Sequence, residues 1–154
     1  MKTTGAFAVL KIIHNGMLAG QILFIGILFY LGYTKEKLPT LSDIDRILQI
    51  VAVAVSGIAF FGGSSFFKKK LAAIKLDEKA SIKARLDKYK TAAIVQWAML
   101  EAACLFCAAS FFITGNYAFL ALAFVLLLLF GMLAPVKSKI AFQLGLDIAD
   151  VEEL

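Results

Sequence analysis

The stretch 91–113, TAAIVQWAMLEAACLFCAASFFI, decides the fold class of this chain. It has 23 residues, contains no lysine or arginine, and carries one acidic side chain, Glu101. At about 1.5 Å per residue, an α-helix of this length crosses a hydrocarbon core of roughly 30 Å. The alternating ten-residue pattern of a membrane β-strand is missing, so the stretch predicts a membrane-spanning α-helix.

Three more stretches of similar length are apolar and free of lysine and arginine, and the 154-residue chain is 61% hydrophobic and 18% charged. Soluble domains are nearer to half apolar and a quarter charged. We therefore expect one integral-membrane domain over 1–154, all-α and polytopic. Its four transmembrane helices are predicted at 12–33, 47–67, 91–113 and 117–134. Pro135 should end or kink the fourth helix, and a short amphipathic tail is expected over 137–154.

The basic residues are distributed unevenly between the two ends of these helices. Thirteen of the 16 lie in the N-terminal segment, the loop 68–90 or the C-terminal tail. The positive-inside rule then predicts that both termini and the loop 68–90 are cytoplasmic, in a bacterial inner membrane. The loop is rich in Leu, Ile and Ala, so we expect helical extensions along anionic headgroups. It lacks aromatic or Gly-Arg interleaving, so no nucleic-acid partner is expected.

The first and third predicted helices resemble each other, as do the second and fourth. Met17, Leu18, Leu23, Phe24 and Phe29 recur 82 positions later, and Phe61, Gly62, Lys68, Lys70 and Ala72 recur 69 positions later. This repetition predicts two duplicated hairpins in an antiparallel four-helix bundle, related by an axis along the membrane normal. The alternative is that apolar helices resemble one another through composition alone.

Small residues at helical spacing mark candidate helix contacts, because they let backbones approach closely in a membrane. Gly16 and Gly20 form a Gly-x-x-x-Gly pair, and Ala98 and Ala102 are spaced in the same way. On the second helix, Ala52, Ser56, Ala59 and Gly63 form a stripe of small residues at helical spacing. We expect helix packing at Gly16, Gly20, Gly57 and Gly63.

Glu101 lies near the middle of its predicted helix, where a charge costs roughly 2.5 to 3.5 kcal/mol on insertion scales. Gln21 and Ser56 lie at the same predicted depth, and His14 shares a helical stripe with Gln21. We therefore expect Glu101 to face the bundle interior, a partner subunit or water. Two interpretations stay open: a carboxylate that carries H⁺ or Na⁺ past Gln21 and His14, or a neutral acid hydrogen-bonded to Gln21 or Ser56.

Motifs for enzymatic chemistry are lacking. Cys104 and Cys107 form a C-x-x-C within an apolar helix, where paired thiols are most often inert small hydrophobes, although a redox pair is the alternative. His14 is the single histidine, so a bis-His haem within the chain is excluded and a metal site is not expected. We expect no cofactor and no enzymatic activity.

The stretch 57–115 resembles the helical hairpin of the proteolipid (c-type) rotor subunits of rotary ATP synthases. The likeness depends on Ala98-Met99-Leu100-Glu101-Ala102, followed by Phe106. As in that family, the helix with the acidic residue is the second of a hairpin, and the first is rich in small residues and ends in a polar loop, which is basic here. This resemblance implies that Glu101 is an ion-binding carboxylate. The chain departs from the family at 68–70, where three lysines replace Arg-Gln-Pro, and at the bulky Phe60 and Phe61.

Beyond this hairpin, the chain is similar to small four-span bacterial membrane proteins. Two functions follow as hypotheses. The first is a non-enzymatic subunit or accessory of a larger membrane complex, or a homo-oligomer. The second is a proton-, ion- or small-solute-translocating proteolipid that uses Glu101 and Gln21.

Overall fold

A computed structural model describes residues 5–34, 42–77 and 80–146, and these residues are 91% helical with no strand among them. The helices are α1 (Ala6–Thr34), α2 (Ser42–Gly57), α3 (Gly63–Leu76), α4 (Ile82–Thr114), α5 (Tyr117–Met132) and α6 (Lys137–Leu144). A π-helical turn, Ile58–Gly62, joins α2 to α3 without a break. The predicted all-α class is confirmed.

Three helices are long and apolar enough to cross a membrane: Phe7–Thr34, Asp43–Leu76 and Ile82–Thr114. The fourth predicted span is different. α5 has 16 residues, about 24 Å, and a bend of 72° separates it from α6. Pro135 explains this early end, because it offers no N–H to a helix and disfavours helical geometry at the preceding residue. Within the described residues, the number of possible spans is therefore three, or four if the bent pair is one span.

The segment 68–90, expected as a cytoplasmic loop with helical extensions, is helical for most of its length. α3 continues to Leu76 and α4 begins at Ile82, so the connection is only five residues long. Ser81 caps α4 by accepting a hydrogen bond from the Ala84 N–H at 3.3 Å. Lys88 pairs with Asp77 at 2.7 Å, and this ammonium holds the pKa of the Asp77 carboxyl below its usual value.

α4 is the central helix of the bundle and contacts α1, α2, α3 and α5. The tight turn between α4 and α5 is built by Gly115, at φ 68°, and by Asn116, whose side chain accepts from the Ala118 N–H at 2.9 Å. α5 covers α4 with one buried stripe: Phe119, Ala123, Leu126 and Phe130. α1 does the same with Leu10, His14, Gln21 and Ile25.

The two expected hairpins are not equivalent in their packing. α4 and α5 lie along each other over their length, whereas α1 and α2 make little direct contact and meet mainly through α4. A pseudo-two-fold bundle would need the same contact in both hairpins. The sequence repetition is therefore not matched by equal helix contacts in the two hairpins.

The π-helical turn sets the face that α3 presents to the bundle. Ala52, Ser56 and Ala59 are buried on one side of the long helix. In an uninterrupted α-helix, Phe67 and Leu71 would lie roughly 60° to 100° away from Ala52 around the axis. The wider turn, which accommodates one more residue, rotates them back, and both side chains pack against the core.

Only one of the four predicted packing glycines lies at a close helix contact. A Cβ built on Gly63 would lie 3.5 Å from Gln96 Cγ, whereas a Cβ on Gly16, Gly20 or Gly57 would meet nothing within 4 Å. Gly16 and Gly20 face outward on α1. Within the single chain these three glycines therefore do not make the expected packing contacts, and the contact face of α1 is the stripe that contains His14 and Gln21.

Both ends of the bundle are tied by contacts between distant parts of the chain. At one end, which we call the basic end, Arg85 donates to the Leu144 carbonyl at 2.8 Å and Tyr89 donates to Gln143 Oε1 at 2.8 Å. Lys137 lies over the Phe7 ring at 5.5 Å, so the start of α1 is at the basic end too. At the opposite end, the Asn116 amide donates to the Asp45 carboxylate at 3.0 and 3.1 Å.

Candidate functional site

Glu101 lies on the outer side of the central helix and not in the bundle interior. Its side chain is partly exposed, between the buried residues Trp97 and Cys104 on one side and the exposed Ala98 and Ala102 on the other. Among the described residues, none forms a hydrogen bond or ion pair with its carboxylate. The expected hydrogen bonds from Gln21 or Ser56 to Glu101 are not formed.

Beside Glu101 runs a narrow exposed face of α4, which we call the outer strip: Thr91, Val95, Ala98 and Ala102. These residues follow one another at spacings of four, three and four, so they form one line along the helix. All four side chains are small or β-branched, and Ala98 and Ala102 leave the backbone accessible to a neighbouring helix. The predicted small-residue pair of this helix is therefore present but is directed outward.

His14 lies in an aromatic cage between α4 and α5. Its ring stacks on Phe130 at 4.7 Å and meets Trp97 edge-on at 4.8 Å, measured between ring centroids. The Nε2 atom lies 3.2 Å from the Phe130 carbonyl oxygen. A carbonyl oxygen only accepts, so Nε2 carries the hydrogen of this bond. Nδ1 is buried and has no partner among the described residues.

Gln21 follows His14 on the same buried stripe of α1, seven residues or about 10.5 Å further along the axis. Its side chain is 0% exposed, and neither its Nε2 nor its Oε1 has a hydrogen-bond partner in the described part of the chain. A buried amide without partners is uncommon in folded proteins, because each unmet polar atom costs about 1 to 3 kcal/mol. Gln21 is thus the least satisfied polar group in the bundle.

The two cysteines point to different neighbours. Cys104 donates to the Ala123 carbonyl at 3.4 Å, whereas Cys107 lies 3.8 Å from the Ser56 hydroxyl. Both thiols are free and 0% exposed. Ser56 therefore contacts Cys107 and not Glu101, and the geometry gives no support to a reactive thiol pair. Among the described residues, no group of three His, Cys, Asp or Glu side chains is placed to hold a metal ion.

Two polar clusters were not predicted from the sequence. One is at the basic end, where Gln96 donates to Ser64 at 3.4 Å and Tyr89 donates to Gln143. The other joins Gln49, Asp45 and Asn116 at the opposite end. The cluster at the basic end had a weak signal in the sequence, because Ser64 and Gln96 are polar residues about one turn from the ends of two apolar stretches. Nothing in the sequence links these residues to α6.

The fold and these sites define an all-helical protein with several helices able to span a membrane. No protein-family model matches this chain, and neither a curated protein nor a solved structure is detectably similar to it. The resemblance to the proteolipid hairpin therefore depends on the residues around Glu101 alone.

Proposed function

We propose that the protein is a non-enzymatic subunit or accessory of a larger complex in a bacterial inner membrane. The observation that supports this function best is the position of Glu101. A carboxylate within a membrane-spanning helix is expensive in lipid unless a partner chain, water or an ion meets it. The described residues provide no such partner, so the missing contact is expected from another subunit.

The surroundings of Glu101 favour a helix as that subunit's contacting element. The outer strip is narrow and its central residues are Ala98 and Ala102, so a partner helix can lie close to the α4 backbone. Such an approach brings a donor on the partner within reach of the Glu101 carboxylate. Either a different membrane protein or a second copy of this chain can supply that helix.

The position of the basic end supports the cytoplasmic location of both termini. The start of α1, the α3–α4 connection and α6 all lie at this end, where most basic residues of the chain are found. A membrane orientation with this end in the cytoplasm satisfies the positive-inside rule. The lysines there then lie at the depth of anionic lipid headgroups.

The test is the size of the assembly after mild extraction in native lipid nanodiscs, measured by mass photometry. After the mass of an empty nanodisc is subtracted, the protein content is expected to exceed one protomer of 16.7 kDa. Ala102→Leu should reduce it to the protomer, because the added side chain blocks close approach at the outer strip. The matched control is Ala121→Leu on the exposed face of α5, which should leave the assembly unchanged. A lone protomer for the unaltered chain would contradict the proposal.

Translocation of protons, ions or small solutes is the second candidate, and it is favoured by Gln21 and His14. Their unmet polar atoms lie on one buried stripe of α1, where a water molecule or an ion would satisfy them. Glu101 would take up or release the ion at the outer side of α4. This arrangement needs a path between the stripe and Glu101.

Flux into liposomes separates the two candidates. A translocating protein should lose most of its pH-dependent flux in Glu101→Gln and in Gln21→Leu. Asn15→Leu is the control, since Asn15 is exposed and lies about 100° around α1 from His14. Equal flux in all variants and in empty liposomes would exclude translocation and leave the subunit function as the proposal.

A further inference from the structure

A cavity of about 380 Å³ lies at the basic end, bounded by α3, α4, the end of α5 and α6. This volume is within the range of pockets that bind small molecules in proteins. Its walls differ in character from one side to the other. Lys68 and Lys139 provide positive charge, whereas Phe67, Trp97 and Leu133 provide apolar surface.

The two lysines come from different helices, and neither is paired with an acidic side chain among the described residues. Lys68 is on α3 and Lys139 is on α6, and both are exposed. The described residues place no carboxylate within the 4.0 Å salt-bridge distance of either ammonium. A second cavity, on the other side of α3, is lined by Lys70 and Lys88, but Lys88 is already paired with Asp77. The cavity at Lys68 and Lys139 therefore has the stronger preference for an anion.

Neutral hydrogen-bond donors accompany the lysines. Ser64 accepts from Gln96 Nε2 at 3.4 Å, so the hydroxyl hydrogen of Ser64 is available to a ligand. Gln143 accepts from Tyr89 through Oε1, which leaves its amide N–H groups available in the same way. Both residues line the cavity. Charged and neutral donors together suit the oxygen atoms of a phosphate group.

The position of the cavity along the helices indicates where such a phosphate would come from. Lys68 is the first basic residue after the apolar stretch 47–67, and Lys139 follows soon after the apolar stretch 117–134. Lysines at the ends of membrane-spanning helices extend toward the headgroup layer. The apolar wall, with Trp97 2% exposed, lies on the side nearer the membrane core.

We infer that this cavity binds the phosphate headgroup of an anionic membrane phospholipid, with the phosphate between Lys68 and Lys139 and the start of the acyl chains against Trp97 and Leu133. The inference requires only that the helices cross a membrane. It does not depend on a partner at the outer strip of α4, so either proposal can fail without the other.

Trp97 is the only tryptophan of the chain and lines the cavity, so quenching of its fluorescence by bromine reports an acyl chain bound beside it. The probes are phosphatidylglycerol and phosphatidylcholine with brominated acyl chains, each added to the purified full chain in detergent. Brominated phosphatidylglycerol should quench Trp97 at about 30-fold lower concentration than phosphatidylcholine, which corresponds to about 1 kcal/mol for each lysine. Glycerol phosphate should not compete, since it lacks the acyl chains.

The charge-removing pair Lys68→Gln and Lys139→Gln should abolish this preference, and Lys68→Arg with Lys139→Arg should retain it. The matched control is Lys69→Gln with Lys75→Gln, which removes two exposed charges from α3 outside the cavity and should leave the preference intact. Equal quenching by the two lipids would overturn the inference. So would an equal loss in the control pair, which would indicate a diffuse surface charge, or full competition by glycerol phosphate, which would indicate a soluble ligand.

Discussion

At the scale of single residues, Gly32 is the described glycine at which an added Cβ would be most crowded. A Cβ at Gly32 would lie 3.1 Å from Phe111 Cε1, which is tighter than nine in ten real Cβ contacts. Phe111 is 2% exposed and packs against the rings of Phe29 and Tyr117, so it has little room to move. Gly32 therefore carries the close contact that Gly16 and Gly20 were expected to provide.

Gly32→Leu should destabilise the bundle by about 1 to 3 kcal/mol, because the added side chain overpacks the contact with Phe111. Gly16→Leu is the control, since that position is open and a leucine also favours the helix. The measurement is reversible unfolding in mixed micelles of increasing SDS content. Equal stability of the two variants would show that the Gly32 contact contributes nothing to the stability of the bundle.

The sequence placed His14 and Gln21 on one stripe of α1 but left the direction of Glu101 open. His14 and Gln21 share a stripe with Leu10 and Ile25, and that spacing is enough to place them together on one face. α4 offers no such contrast. Over 91–113 this helix is apolar on nearly every side. Lipid and the protein interior both accept apolar residues, so periodicity alone cannot tell the inner from the outer face.

At the scale of helices, the π-helical turn is the feature that the sequence did not reveal. The small stripe Ala52, Ser56, Ala59 and Gly63 was visible from its spacing, and all four residues are buried. A one-residue widening of the helix leaves composition and hydropathy unchanged, so it has no signal in either. The helical structure of most of 68–90 was also only partly visible in the sequence. Lysines are compatible with a helix or a loop, whereas the intervening Leu, Ile and Ala favour the helix.

The π-helical turn should make this long helix tolerant of a one-residue deletion within the turn. Removing Phe61, which is 70% exposed within the turn, should restore a regular α-helix and keep Phe67 and Leu71 on the side that faces α4. Removing Val53, which is 66% exposed in α2, should rotate the rest of the helix by roughly 100° and expose its buried stripe.

The same SDS unfolding experiment applies to both deletions. The chain without Phe61 is expected to stay close to the unaltered stability, and the chain without Val53 is expected to lose several kcal/mol because Ser56, Ala59 and Ile74 leave α4. Comparable losses in the two deletions would mean that the turn does not set the register of α3.

At the scale of the whole molecule, the basic end is expected in the cytoplasm and the α4–α5 turn on the other side. Cys104 and Cys107 are 0% exposed and should stay silent toward a membrane-impermeant maleimide. A cysteine at the exposed position Lys83 should then react only after the membrane is opened, and a cysteine at Tyr117 should react in intact cells. Labelling in the reverse order would place the basic end outside.

The central claim is that the outer strip of α4, beside Glu101, meets another membrane helix. Its most direct test is a photoreactive side chain placed at Ala98 and irradiated in native membranes, with Ala121 on α5 as the matched exposed position. The account predicts a discrete crosslinked species from position 98 and none from position 121. No crosslink from position 98, or equal yields from both positions, would contradict it.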